Sequence, residues 1–163
     1  MKRTAVLFGV LLFAALLVAP SANAQTTGMV GIKLGLGLAD GNAGFLIGPG
    51  GEVIFGKHHA VGSEINIVTS TGTPVEWFAY YKYIFTIPKS MVRPYADGGL
   101  SLIFMTGGPY FGFRFGGGSL FQVAKDFNLM ADLQLGPTFA SSGAYTSGIF
   151  VFTITVGVRY ELH

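Results

Sequence analysis

The 163-residue chain contains no cysteine, so neither a disulfide framework nor a thiol-linked lipid anchor is open to it. Charge is scarce, at 11% of residues. Beyond residue 24 eight Lys/Arg stand against eight Asp/Glu, so no basic surplus argues for nucleic acid. No apolar run in that stretch approaches the ~18 residues of a transmembrane helix. Histidine occurs only at His58, His59 and His163, which leaves little material for proton-transfer chemistry.

What the chain does have is grease and glycine: half of it is hydrophobic, with 15 Phe, 7 Tyr and 25 Gly. Its opening is of a different kind. Lys2 and Arg3 precede an uncharged apolar run from Ala5 to Ala19, followed by Pro20, Ser21 and the small triplet Ala22-Asn23-Ala24. That order predicts a secretory signal peptide over 1–24, cut after Ala24, and one mature domain over 25–163. The apolar run is shorter than the ~20 residues a spanning anchor needs. Export is therefore expected, held together by packing and hydrogen bonds alone.

Residues 149–162 carry the clearest pattern. Phe150, Phe152, Ile154, Val156, Val158, Tyr160 and Leu162 alternate with Val151, Thr153, Thr155, Gly157, Arg159 and Glu161. Successive strand residues point to opposite faces, so this segment has one greasy face and one small or polar face. The same period-two pattern predicts strands over Met29–Ala39, Phe45–Phe55, Val61–Ser70, Val75–Phe85, Val92–Ile103, Phe111–Gln122 and Leu129–Phe139. Turns are expected at Asp40-Gly41-Asn42, Gly56 to His59, Thr71 to Pro74, Pro88-Lys89-Ser90 and Lys125-Asp126. Thr106 to Pro109 and Ser141–Gly148 read as loops. In the second strand Gly48-Pro49-Gly50-Gly51 predicts a bulge, because Pro49 cannot donate to a ladder.

In every predicted strand that carries charge, the charge takes the phase opposite the bulky apolar residues. A greasy face turned to lipid requires a sheet that closes on itself, since an unpaired backbone group in hydrocarbon costs several kcal/mol. The expected fold is all-β: an eight-stranded antiparallel transmembrane up-and-down β-barrel, both ends of the chain on the periplasmic side. Strands of ~10 residues suffice to cross an outer membrane. The enclosed face would hold a charge network of Lys33, Lys82, Arg93, Arg114 and Arg159 against Glu52, Glu64, Glu76, Asp97, Asp132 and Glu161. Such near-cancellation suits a plugged interior, which in an eight-stranded barrel is just wide enough for side chains. Aromatic girdles are expected at both interfaces. Phe55, Tyr83, Phe85, Phe121 and Tyr160 would form the periplasmic one, and Phe45, Trp77, Phe111, Phe113, Phe150 and Phe152 the outer one.

Catalytic and cofactor signals are weak. In this topology His58, His59 and His163 lie at the periplasmic end, so Ser141, Ser142 and Ser147 near the outer rim lack a base. Adjacent His58-His59 without a third ligand is a poor metal site. Gly35-x-Gly37 is no dinucleotide fingerprint, since Asp40 stands where a third glycine belongs. No catalytic, cofactor or metal residue is expected.

Three segments carry a family likeness: Gly31-Ile32-Lys33-Leu34-Gly35-Leu36-Gly37, Val92-Arg93-Pro94-Tyr95 with Gly98-Gly99, and Thr155-Val156-Gly157-Val158-Arg159-Tyr160-Glu161-Leu162. On these the chain resembles the small outer-membrane β-barrel family related to the transmembrane domain of outer-membrane protein A and its porin-like relatives. The resemblance implies a cell outer-membrane location and outer-membrane lipid as partner. It also implies recognition of the last strand by the barrel-assembly machinery, through Val156, Val158, Tyr160 and Leu162. Family members usually end in an aromatic residue; here the matching phase ends at Leu162 and His163 overhangs. The function expected is a non-enzymatic structural or interaction role in the envelope. The alternatives are a narrow, weakly conducting pore and a soluble exported barrel binding an apolar ligand.

Overall fold

The computed structural model describes residues 26–39, 42–70, 73–105, 108–142 and 145–162, with 140–142 and 145–147 described by their backbone alone. The leader expected over 1–24 lies outside the described residues, as do Gln25, residues 40–41, 71–72, 106–107 and 143–144, and His163.

Eight strands form: β1 Thr26–Ala39, β2 Asn42–Phe55, β3 His59–Thr69, β4 Val75–Ile84, β5 Val92–Met105, β6 Gly108–Ala124, β7 Phe127–Ser142 and β8 Tyr145–Leu162. Each pairs antiparallel with the next, and β8 returns to β1 to close the barrel, with Leu34 opposite Val156. Closure leaves no edge strand to be satisfied by water. Among the described residues no helix is long and apolar enough to cross a membrane.

The period-two alternation becomes two surfaces. Along β8, Phe150, Ile154, Val156 and Tyr160 face outward, while Val151, Thr153, Thr155 and Arg159 are buried inside. Val156 is 61% exposed and its third neighbour Arg159 is 0% exposed. The end of the barrel holding Thr26 and Leu162 is termed proximal here, and the other end distal.

Four expectations fail, each for a local reason. β2 has no bulge at Gly48-Pro49-Gly50-Gly51, since its ladder with β1 runs unshifted from Thr26↔Phe55 to Ala39↔Asn42. The β2–β3 ladder passes from Ile47↔Ile67 to Gly50↔Glu64 without pairing Gly48 or Pro49, so the missing N–H falls on that side. Gly136-Pro137 interrupts the β6–β7 ladder in the same way. The register shift lies instead between Gln122 and Ala124, at the proximal end of β6.

The expected loop over Ser141–Gly148 is mostly hairpin, with Ala140↔Ser147, Ser141↔Thr146 and Ser142↔Tyr145 paired. Gly108 and Pro109 likewise belong to β6. Outside the apolar band nothing selects alternating apolar residues, but backbone pairing still continues. Finally, His59 opens β3 rather than closing the preceding turn, which is left to Gly56-Lys57-His58 with Gly56 at φ +63°.

Glycines let neighbouring strands approach. A Cβ on Gly35 would lie 2.0 Å from the Ile154 carbonyl oxygen. One on Gly118 would lie 2.0 Å from the Ala131 carbonyl oxygen and 2.7 Å from the Tyr95 hydroxyl. Gly118→Ala is therefore expected to lower stability by about 1–3 kcal/mol in a lipid-reconstituted urea titration. An unchanged midpoint would mean that the wall spreads freely there.

Candidate functional site: the barrel lumen

The middle of the lumen is a layer of charge. Lys33 of β1, Glu52 of β2, Glu64 of β3, Lys82 of β4, Asp132 of β7 and Arg159 of β8 all point inward and are buried. Glu64 sits between two cations. Arg159 donates from Nη2 to its Oε1 at 2.5 Å, and Lys33 contacts its Oε2. The Lys33 contact is an ion pair rather than an aligned hydrogen bond, for neither atom has a directed partner. Lys33 Nζ is also 3.9 Å from Asp132 Oδ2. Lys82 donates to Glu52 Oε2 at 2.5 Å, where the Tyr80 hydroxyl donates too, at 2.8 Å.

Two tyrosines extend this layer. Tyr95 donates to Asp132 Oδ1 at 3.1 Å, and the Lys82 ammonium lies 4.3 Å from the Tyr95 ring centre. Asp97 is half-buried and accepts a long contact of 3.5 Å from Gln134 Nε2. Taking these charges from water is costly, and their attraction compensates only when each has close opposite partners. The grouping around Glu64 supplies them.

The remaining charges lie to either side. Proximally, Arg93 donates to Glu161 Oε1 at 2.8 Å, and Asn128 donates to the same oxygen at 3.0 Å. This pair is partly exposed. Distally, Glu76 is held by Asn66 Nδ2 at 3.1 Å and by the Ser101 hydroxyl. Arg114 Nη2 approaches Glu76 Oε1 to 3.0 Å, again as a charge contact, while Nη1 donates to Thr138 Oγ1 at 2.9 Å. Nη1 also reaches the Gly136 carbonyl, at 3.3 Å, beside the gap that Pro137 leaves in the ladder.

Apolar side chains bracket the charges, an arrangement the sequence reading did not contain. Proximally, Met29, Ile54, Ile84, Tyr95, Leu120 and Met130 pack together inside the lumen. Distally, Leu46, Val68, Ile103, Met105, Ile149 and Val151 wall a cavity of about 390 Å³ whose polar lining includes Glu76, Arg114, Thr138 and Thr153. All share the phase of the charged residues. Ser101, Asn66, Asn128 and Thr138, the neutral partners of the network, were also missed. Their one signal was that shared phase.

The aromatics expected in the two girdles face outward, with Phe55 and Phe152 less exposed than the rest. Tyr81, Phe104, Phe127 and Phe139 join them there. At the proximal rim His58 stacks on Tyr83 at 5.8 Å, and His59 Nδ1 lies 2.5 Å from the Tyr81 hydroxyl. The two histidines are thus engaged with rim aromatics. Among the described residues no group of three or more His, Asp or Glu could hold a metal. The side chains of Ser141, Ser142 and Ser147 are not among those described. Val156, Val158, Tyr160 and Leu162 share the outer face of β8.

No family profile and no curated protein sequence matches the chain. Solved structures do. The N-terminal β-barrel domain of Pseudomonas aeruginosa OprF matches with TM-score 0.64 and 14% identity, over 85% of this chain and 100% of that one. A barrel from the de novo design of transmembrane β-barrels gives 0.61 and 12%, over 83% and 95%. Neisserial surface protein A gives 0.58 and 14%, over 84% and 97%. The chain has the fold of the small eight-stranded outer-membrane β-barrels.

Proposed function

We propose that this chain is an integral protein of the bacterial outer membrane, non-enzymatic, with a closed lumen and a structural or interaction role in the envelope. The observation that carries this reading is the Lys33–Glu64–Arg159 group. It bridges β1, β3 and β8 across the interior with exposures of 1%, 3% and 0%. The apolar layer beneath it supports closure further. A soluble ligand-binding barrel would hide its large apolar residues, but here Leu36, Phe115, Phe150 and Val156 stand outward. Outer-membrane lipid is the partner that this surface fits. The outer face of β8, ending in Tyr160 and Leu162, is what the assembly machinery would read.

Fold alone does not select a role, as the match to a designed barrel illustrates. Single-channel recording in planar bilayers is the test. A closed lumen gives no reproducible conductance steps. Discrete steps that change when Glu76 or Arg114 is neutralised would replace this reading with the narrow pore.

A further inference from the structure

We infer that the distal cavity binds a small neutral amphiphile: an apolar body carrying one hydrogen-bond-accepting head, such as an ester or amide. Its volume of about 390 Å³ falls within the ~300–1,000 Å³ of small-molecule sites. Its walls of Leu46, Val68, Ile103, Met105, Ile149 and Val151 offer no hydrogen bonds to water, which needs two to four polar partners to be held. An apolar body suits these walls better than water does.

The polar lining specifies the head. Both Glu76 oxygens are engaged, Oε2 by Asn66 and Oε1 by Ser101 and Arg114. Arg114 is 1% exposed, yet its Nε has no hydrogen-bond partner. The site therefore has a donor to spare and its carboxylate is already occupied, which favours an accepting head. The Glu76 and Arg114 charges cancel, which favours a neutral one. The cavity lies inside a closed barrel wall, so the occupant is a free solute rather than the acyl tail of a neighbouring lipid.

The test is a titration of the chain, folded in lipid nanodiscs, with octyl acetate, read by backbone amide NMR shifts. Saturable shifts are expected at Ile103, Thr138 and Val151. Decane, which lacks the head, should bind about tenfold more weakly or less. Val151→Trp fills the cavity without replacing Glu76 or Arg114, and should abolish saturation while the barrel still folds. Three results would overturn the site: shifts that rise linearly across lipid-facing residues, saturation that survives Val151→Trp, or equal affinity for decane. Conductance is read in none of these arms, so failure here leaves the closed lumen standing.

Discussion

Glu64→Leu is expected to destabilise the barrel by about 3–5 kcal/mol, because it removes one carboxylate from between two buried cations. Lys33 would retain only Asp132, at 3.9 Å. Arg159 would keep a contact from Nε to Met130 Sδ at 3.3 Å, and its Nη1 already lacks a hydrogen bond. A guanidinium without its direct carboxylate partner would then be sealed at 0% exposure between charged and apolar layers. Urea unfolding in lipid vesicles, followed by circular dichroism, reads the loss. Adding Arg159→Met should recover a large part of it, since removing both partners avoids the orphaned charge. Strictly additive losses would mean that the pair contributes nothing as a pair.

Val156→Arg is the second large effect, at about 2–4 kcal/mol, and it tests the opposite face of the same strand. Val156 pairs with Leu34 and Ala131 near the middle of the wall and is 61% exposed. On a soluble protein such a position would accept arginine almost without cost. In hydrocarbon the cost depends on depth, so Leu162→Arg at the proximal rim should cost only about 0–1 kcal/mol. The same urea titration measures both, and equal small effects would remove lipid from the account.

Strand positions and facing were legible because period-two alternation is local: Val156 and Thr155 declare their sides within a few residues. Cross-lumen partners were not. Glu64 and Arg159 lie 95 residues apart, and their meeting depends on how the strands stagger around the barrel. The apolar brackets escaped for a related reason. Met29, Leu120 and Met130 share the phase of the charges, and alternation alone cannot tell height within the lumen. Pro49 misled because a missing donor disrupts only the ladder it faces. The ladder beyond Ala140 was hidden because no apolar band acts on it.

A spin-label scan of β8 from Phe150 to Tyr160, in bilayers, with oxygen and a water-soluble nickel chelate as relaxants, tests most directly which medium meets the aromatic face. A period of two is expected, with labels at Ile154 and Val156 open to oxygen and closed to nickel, and labels at Thr153 and Thr155 shielded from lipid. Nickel access at Val156 together with an oily signal at Thr155 would contradict it.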